Sequence, residues 1–192
     1  MNIYLVRHTE YENPQGIFAF HLPVYLSKKG RKDAVKIGKW FVKNKLENLP
    51  IYTSPIVRCV QSSELIASQT GSFVKVDSRL IEVPCDNLEG KKKPKQESWV
   101  LEQDDPSREP KDKVIKRMMS IFTERVKDNK DCILVSHGEP LTFLYFHLTN
   151  TVIPKYPWSP ENKNIIIRKG ELVKMEIRNG SLVRAKKLSP LD

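Results

Sequence analysis

Three observations predict a three-layer α/β/α sandwich on a mostly parallel central sheet, closed by a C-terminal antiparallel hairpin. Short β-branched or apolar runs alternate with longer segments of helical period, as in a parallel sheet covered on both faces. The run Cys132 to Ser136 is apolar almost throughout, as a central buried strand must be. Asn179-Gly180 sits between two strand-like runs and marks a tight hairpin.

The elements follow in order. Asn2 to Val6 is a β-branched and aromatic strand that ends in Arg7-His8-Thr9-Glu10 and so delivers polar residues at its C-terminal end. Ser27 can cap a helix to about Asn44, with Ala34, Ile37, Gly38, Phe41 and Val42 on one face. Pro50 to Thr53 reads as a second strand. Ser54-Pro55 opens a second helix with proline at its first position, and Gly71 closes it. Phe73 to Val76 is a third strand. From about 84 to 110, charge, prolines and weak periodicity read as a loop-rich excursion. Lys111 to Lys127 is a helix with Val114, Ile115, Met118, Ile121, Phe122 and Val126 on its apolar side. After Cys132 to Ser136 comes a helix from Glu139 to Leu148, then strand-like runs Ile165 to Arg168, Val173 to Ile177 and Leu182 to Ala185. With no internal repeat or linker, residues 1–192 are expected to form a single domain.

Composition narrows the function classes. The chain is 39% hydrophobic and 29% charged, and it lacks any apolar run of about 18 residues that could span a bilayer. Met1 to Arg7 has no basic leader and meets a charge where a signal peptide would continue apolar, so a cytoplasmic protein is expected. Cys59, Cys85 and Cys132 form no Cys-x-x-Cys pair, and the four histidines lack metal-ligand spacing. Neither a metal nor a cofactor is expected. A net charge of +10 favours an anionic partner. Runs such as Lys28 to Lys32 and Lys91 to Lys95 read first as solvated faces, and nucleic acid has no support beyond charge, because no nucleic-acid motif accompanies them.

The chemistry concentrates after two strands. His8 follows Leu5-Val6-Arg7, and His137 follows Ile133-Leu134-Val135-Ser136, so both imidazoles should reach the same edge of a parallel sheet. Two imidazoles beside Arg7 make a pocket for a phosphoryl group, since imidazole is nucleophilic near neutral pH and guanidinium grips phosphate oxygens in pairs. Gly138 and the helix after it add free N–H groups and a positive dipole end. Asn13 could reach the phosphate through its amide or serve the turn before Pro14, and Glu10 could orient an imidazole or bond a backbone N–H. His21, Tyr25 and Trp99 could line the pocket mouth or hold core and surface positions.

The chain resembles the histidine phosphatase superfamily, also called phosphoglycerate mutase-like, over nearly its whole length. Arg7-His8-Thr9 stands where the family has Arg-His-Gly. Ser54-Pro55-Ile56-Val57-Arg58-Cys59-Val60-Gln61-Ser62 is similar to its Ser-Pro-Leu-x-Arg-x-x-Gln-Thr segment. Leu80-Ile81-Glu82, followed by Leu88-Glu89-Gly90, matches the phosphatase branch's Leu-x-Glu and Trp-Glu-Gly, and Ser136-His137-Gly138 is the last block.

The resemblance implies His8 as nucleophile, Arg7, Arg58 and His137 as clamps on the phosphoryl oxygens, and Glu82 as proton donor and acceptor. Asn13, Thr9 and Gly138 would bind substrate. The expected activity is metal-independent hydrolysis of a small phosphorylated anionic substrate, with phosphohistidine as intermediate. A mutase and a catalytically weak phospho-ligand binding module are the alternatives, and a homodimer is compatible with all three. Thr9 in place of Gly narrows the room beside the nucleophile, and Leu88 in place of Trp removes a packing group near the acid.

Overall fold

Side chains alternate faces along a strand, so Ile3 and Leu5 must point one way and Tyr4 and Val6 the other. In the computed structural model, which describes residues 1–93, 105–154, 162 and 166–191, strand β1 (Asn2–Arg7) divides the core in this way. Ile3 and Leu5 pack with Val114, Met118 and Ile121 of α3 (Lys111–Asp128) and Leu141 and Leu144 of α4 (Gly138–Leu148). Tyr4 and Val6 meet Ile37 and Phe41 of α1 (Lys28–Lys43), and Cys59 and Ile66 of α2 (Val57–Thr70). Two helices therefore cover each face, and the three-layer sandwich follows.

The sheet also contains β2 (Ile51–Thr53), β3 (Val74–Val76), β4 (Cys132–Ser136), β5 (Leu172–Arg178) and β6 (Ser181–Leu188), in the order β3-β2-β4-β1-β5-β6. Strands β3, β2, β4 and β1 run parallel, and β5 and β6 add an antiparallel edge. All five residues of β4 are buried, as its unbroken apolar run demands.

Local chemistry sets the boundaries. The Ser27 hydroxyl accepts the Gly30 N–H at 3.0 Å and starts α1. Gly71 ends α2 in the left-handed region, where lack of a Cβ removes the steric penalty. Asn179 and Gly180, both at positive φ, make the turn between β5 and β6.

Two expectations change. Pro55 does not occupy the first turn of α2: Ile56 is the N-cap and Val57 the first helical residue, because Ser54 and Pro55 complete the exit from β2. Ile166 to Arg168 form no strand, since the Ile167 carbonyl is taken by the Arg7 guanidinium at 2.8 Å; Ile165 lies outside the described residues. The excursion at 84–110 is anchored where it is described. Cys85 bridges to Arg108, and the Asp105 carboxylate accepts from Asn87 and Ser107. Residues 94–104, which include Trp99 and the end of the lysine run, lie outside the described residues.

The topology fixes where chemistry can occur. β1 and β4 are neighbours, yet β1 leads to α1 on one face and β4 to α4 on the other. The strands part here to opposite layers, and the crevice beyond their carboxyl ends is where α/β sheets bind ligands.

The segment after β1 lies hard against α1. A Cβ built on Gly30 would stand 1.8 Å from the Glu10 carbonyl oxygen. Replacing a helical glycine by alanine ordinarily stabilises by about 0.5–1 kcal/mol. At Gly30 the sign is expected to reverse, with Gly30→Ala costing about 1–3 kcal/mol in urea unfolding. An alanine variant as stable as the parent would show that the Glu10 segment is not held in place.

Candidate active site

Because Arg7 pairs with Ser136 in the β1–β4 ladder, the next residues, His8 and His137, leave the sheet side by side. Their ring centroids are 5.2 Å apart, and both are buried. His8 Nδ1 lies 2.8 Å from the Thr9 carbonyl oxygen, which can only accept, so Nδ1 carries the proton and Nε2 presents its lone pair. Arg58, in the first turn of α2, donates from Nε to His8 Nε2 at 3.2 Å. Its Nη2 donates to His137 Nδ1 at 3.1 Å and to the Phe20 carbonyl at 2.7 Å. His137 Nε2 is then left to donate to the Ser54 hydroxyl at 2.8 Å. The remaining Arg58 nitrogen, Nη1, is buried and has no hydrogen-bond partner among the described residues.

Burial and the cations Arg58 and Arg7 hold His8 well below the usual imidazole pKa. Burial, then Arg58, does the same to His137, so both rings are neutral at pH 7. Glu82 follows the 3-10 turn Ser78–Leu80, which buries Leu80 and aims the next residues at the sheet edge. Its Oε2 is 3.7 Å from His137 Nδ1. Burial raises the Glu82 carboxyl above its ordinary range although Arg58 and Arg7 pull it down, so no bound phosphate is needed for the upward push.

Arg7, His8, Arg58 and Glu82 line one cleft, of about 520 Å³ empty volume, with Tyr11, Phe18, Ala19, Phe20, Lys93 and Glu139. His137 stands behind them, fully buried and bonded to Arg58. The other sequence-selected residues lie elsewhere. The Asn13 amide bonds both the N–H and the carbonyl of Ile17, so it serves its own turn. The Thr9 hydroxyl is 3.3 Å from that of Ser62, directed into α2. Gly138 opens α4 behind the cleft. Glu10 accepts from the Ser27 hydroxyl and reaches neither imidazole. Tyr25 is exposed, whereas His21 touches the site indirectly, its Nε2 lying 2.9 Å from the Glu82 carbonyl.

Sequence reasoning missed Ser54 as the partner of His137, and it missed the pair Arg108–Glu139. These two side chains bond each other at the cleft wall with 3% and 4% of their surfaces exposed. A Glu directly after His137-Gly138 was the available signal. Cys59 Sγ also approaches His137 Nε2 at 3.4 Å, but burial pushes its thiol up to about 12 and it stays uncharged. Among the described residues no group of three or more His, Cys, Asp or Glu could hold a metal ion, and no helix is long and apolar enough to cross a membrane.

Burial raises Glu139 to about 7 against the pull of Arg108. Its charge therefore opposes folding increasingly as pH rises from the ordinary carboxylate range through about 7, and Arg108 matters most above that point. Arg108→Ala is expected to cost about 3–5 kcal/mol at pH 8, where it leaves a buried carboxylate alone, and clearly less at pH 5. Denaturant unfolding at the two pH values is the check, and equal losses at both would contradict the assignment.

Comparison with known proteins identifies relatives of the whole chain. The family model described as histidine phosphatase superfamily (branch 1) matches residues 3–181. A curated relative, "Putative phosphoserine phosphatase 2" of Hydrogenobacter thermophilus, is 30% identical over 161 residues, covering 77% of this chain and 78% of its own. The solved structure of Bacillus stearothermophilus YhfR is 22% identical and superposes with a TM-score of 0.75, covering 94% of this chain and 93% of its own. A phosphoserine phosphatase from Entamoeba histolytica, solved in complex with 3-phosphoglyceric acid, is 18% identical with a TM-score of 0.75, covering 99% and 98%. From β1 to the start of β6, the chain belongs to the histidine phosphatase superfamily, branch 1.

Proposed function

We propose that this protein is a metal-independent phosphomonoesterase that works through phosphohistidine on His8. The observation that carries the reading is the Arg58 guanidinium, bonded to the lone pairs of both imidazoles while its buried Nη1 is unmatched. A buried cation with free donors beside a nucleophilic nitrogen suits an oxyanion, and guanidinium bonds such groups in pairs. The curated relative's name, a phosphoserine phosphatase, points to a small phosphorylated substrate.

On this reading the phosphoryl group enters between Arg7 and Arg58, and Arg58 Nε passes from the imidazole to a phosphoryl oxygen. The freed His8 Nε2 attacks phosphorus in line with the ester bond. That bond breaks, and the leaving alkoxide takes the proton of Glu82. Water then attacks phosphohistidine, giving its proton to Glu82, and inorganic phosphate leaves with His8 restored. The phosphoryl oxygens stay anionic throughout, so the two guanidiniums and the neutral His137 act by fixed electrostatics. Raised by burial, Glu82 can hold a proton at a pH where an ordinary glutamate could not.

Hydrolysis of an aryl phosphate in EDTA should persist in the parent protein and fall by about 10⁴-fold or more in His8→Ala. Equal phosphate release by the two proteins would reject the nucleophile, and dependence on added metal would reject the mechanism. Glu82→Gln should lower hydrolysis of an alkyl phosphate by about 10²–10⁴-fold. An aryl phosphate, whose phenolate needs less help to leave, should suffer less. The pH profile should fall on its alkaline side as Glu82 ionises, above the normal carboxylate range, and that limb should vanish in Glu82→Gln. Equal losses on both substrates would remove Glu82 as the acid. Transfer from a bisphosphate primer to 3-phosphoglycerate, in place of release to water, would favour a mutase.

A further inference from the structure

The block Leu88-Glu89-Gly90 has no part in the chemistry above, yet its carboxylate makes two of the best-placed bonds near the site. Glu89 Oε1 accepts the N–H of Phe20 at 2.9 Å, and Oε2 accepts the N–H of His21 at 2.8 Å. The Phe20 carbonyl in turn accepts Arg58 Nη2 at 2.7 Å. The His21 ring bonds the Glu82 backbone carbonyl at 2.9 Å. Around this point the two loops are tied by main-chain bonds: Phe18 N–H to the Lys91 carbonyl, Gly90 N–H to the Phe18 carbonyl, and Lys93 N–H to the Gly16 carbonyl.

We infer that Glu89 is a positioning residue for Arg58: by gripping two consecutive backbone N–H groups, it sets the direction of the Phe20 carbonyl that aims the guanidinium. The inference rests on the reading of Arg58 as the oxyanion clamp and adds what orients it. Among the described residues the hydrogen-bond acceptors of Arg58 are all neutral, two imidazole nitrogens and one carbonyl oxygen. Of these, Phe20 alone is supplied by a loop and not by a strand end, so it is the acceptor most in need of external support. A carboxylate supplies that support through two charge-assisted bonds. The Glu89 side chain is absent from the cleft wall, which fits a role exerted through the backbone.

The test is a double-mutant cycle between positions 89 and 58, read in two ways. Orthovanadate affinity reports the oxyanion site without turnover, and p-nitrophenyl phosphate hydrolysis in EDTA reports it with turnover. In the parent background Glu89→Ala is expected to weaken both by about 30-fold, the scale of a small misplacement of a catalytic group. In the Arg58→Ala background the same change should cost about threefold or less, because the group it aims is gone. Equal losses in the two backgrounds would overturn the inference, since a purely structural role lowers both alike. A Glu89→Ala protein with parental affinity and rate would overturn it too. If alanine brings the melting temperature below that of the assay, Glu89→Gln and Arg58→Lys complete the same cycle. A parent protein that binds vanadate but releases no phosphate would fail the proposed activity and leave the vanadate cycle to decide the role of Glu89.

Discussion

The parallel register of β1 on β4 governs the molecule. It pairs Arg7 with Ser136, so each strand releases its histidine at the same height and the imidazoles face each other across a gap that one guanidinium spans. A slip of one residue would send every side chain of β1 to the opposite face, exchanging the Ile3–Leu5 and Tyr4–Val6 layers. Both layers are closely filled, so the register that builds the core is also the one that builds the site. Core packing and chemistry are coupled through five backbone pairings and cannot be altered separately.

What the core supports is electrostatically expensive. His8, Arg58 and His137 each keep 1% or less of their surface, and among the described residues the Arg58 cation finds only neutral hydrogen-bond acceptors. Each buried donor left without an acceptor costs about 1–3 kcal/mol, and Arg58 Nη1 is one. Such a cluster detracts from stability, and its sense lies in preorganisation: the dipoles already point at the site of the incoming anion and need not reorient during reaction. The raised Glu82 and Glu139 and the lowered His8 and His137 share one origin, the removal of water from this edge.

The sheet, its helices and the matched histidines were legible because they rest on short-range patterns: β-branched runs, helical spacing, a capping serine, an Asn-Gly turn. Arg58 and Glu82 were legible through family resemblance, not periodicity, since neither the first turn of a helix nor the end of a 3-10 turn announces a pocket. Ser54, Arg108 and Glu139 were not, because their partners lie 83 and 31 residues away and only the folded chain brings them together. The misplacement of Pro55 has a local cause, as a proline that suits a first turn suits the preceding extended residue equally well.

Thr9 looked like the principal flaw in the signature, a bulky residue where the family has glycine. Its side chain lies against Ser62, and Ser62 falls where the resembling segment carries threonine. The Thr9 methyl faces away from that contact, toward Gly170, 3.9 Å from where a Cβ on that glycine would stand. Two departures that are far apart along the chain thus touch through their hydroxyls in space. The residue next to the nucleophile is thereby fastened to α2 twice, through its N–H and its hydroxyl, so a side chain without an oxygen at position 62 would loosen the loop that carries His8.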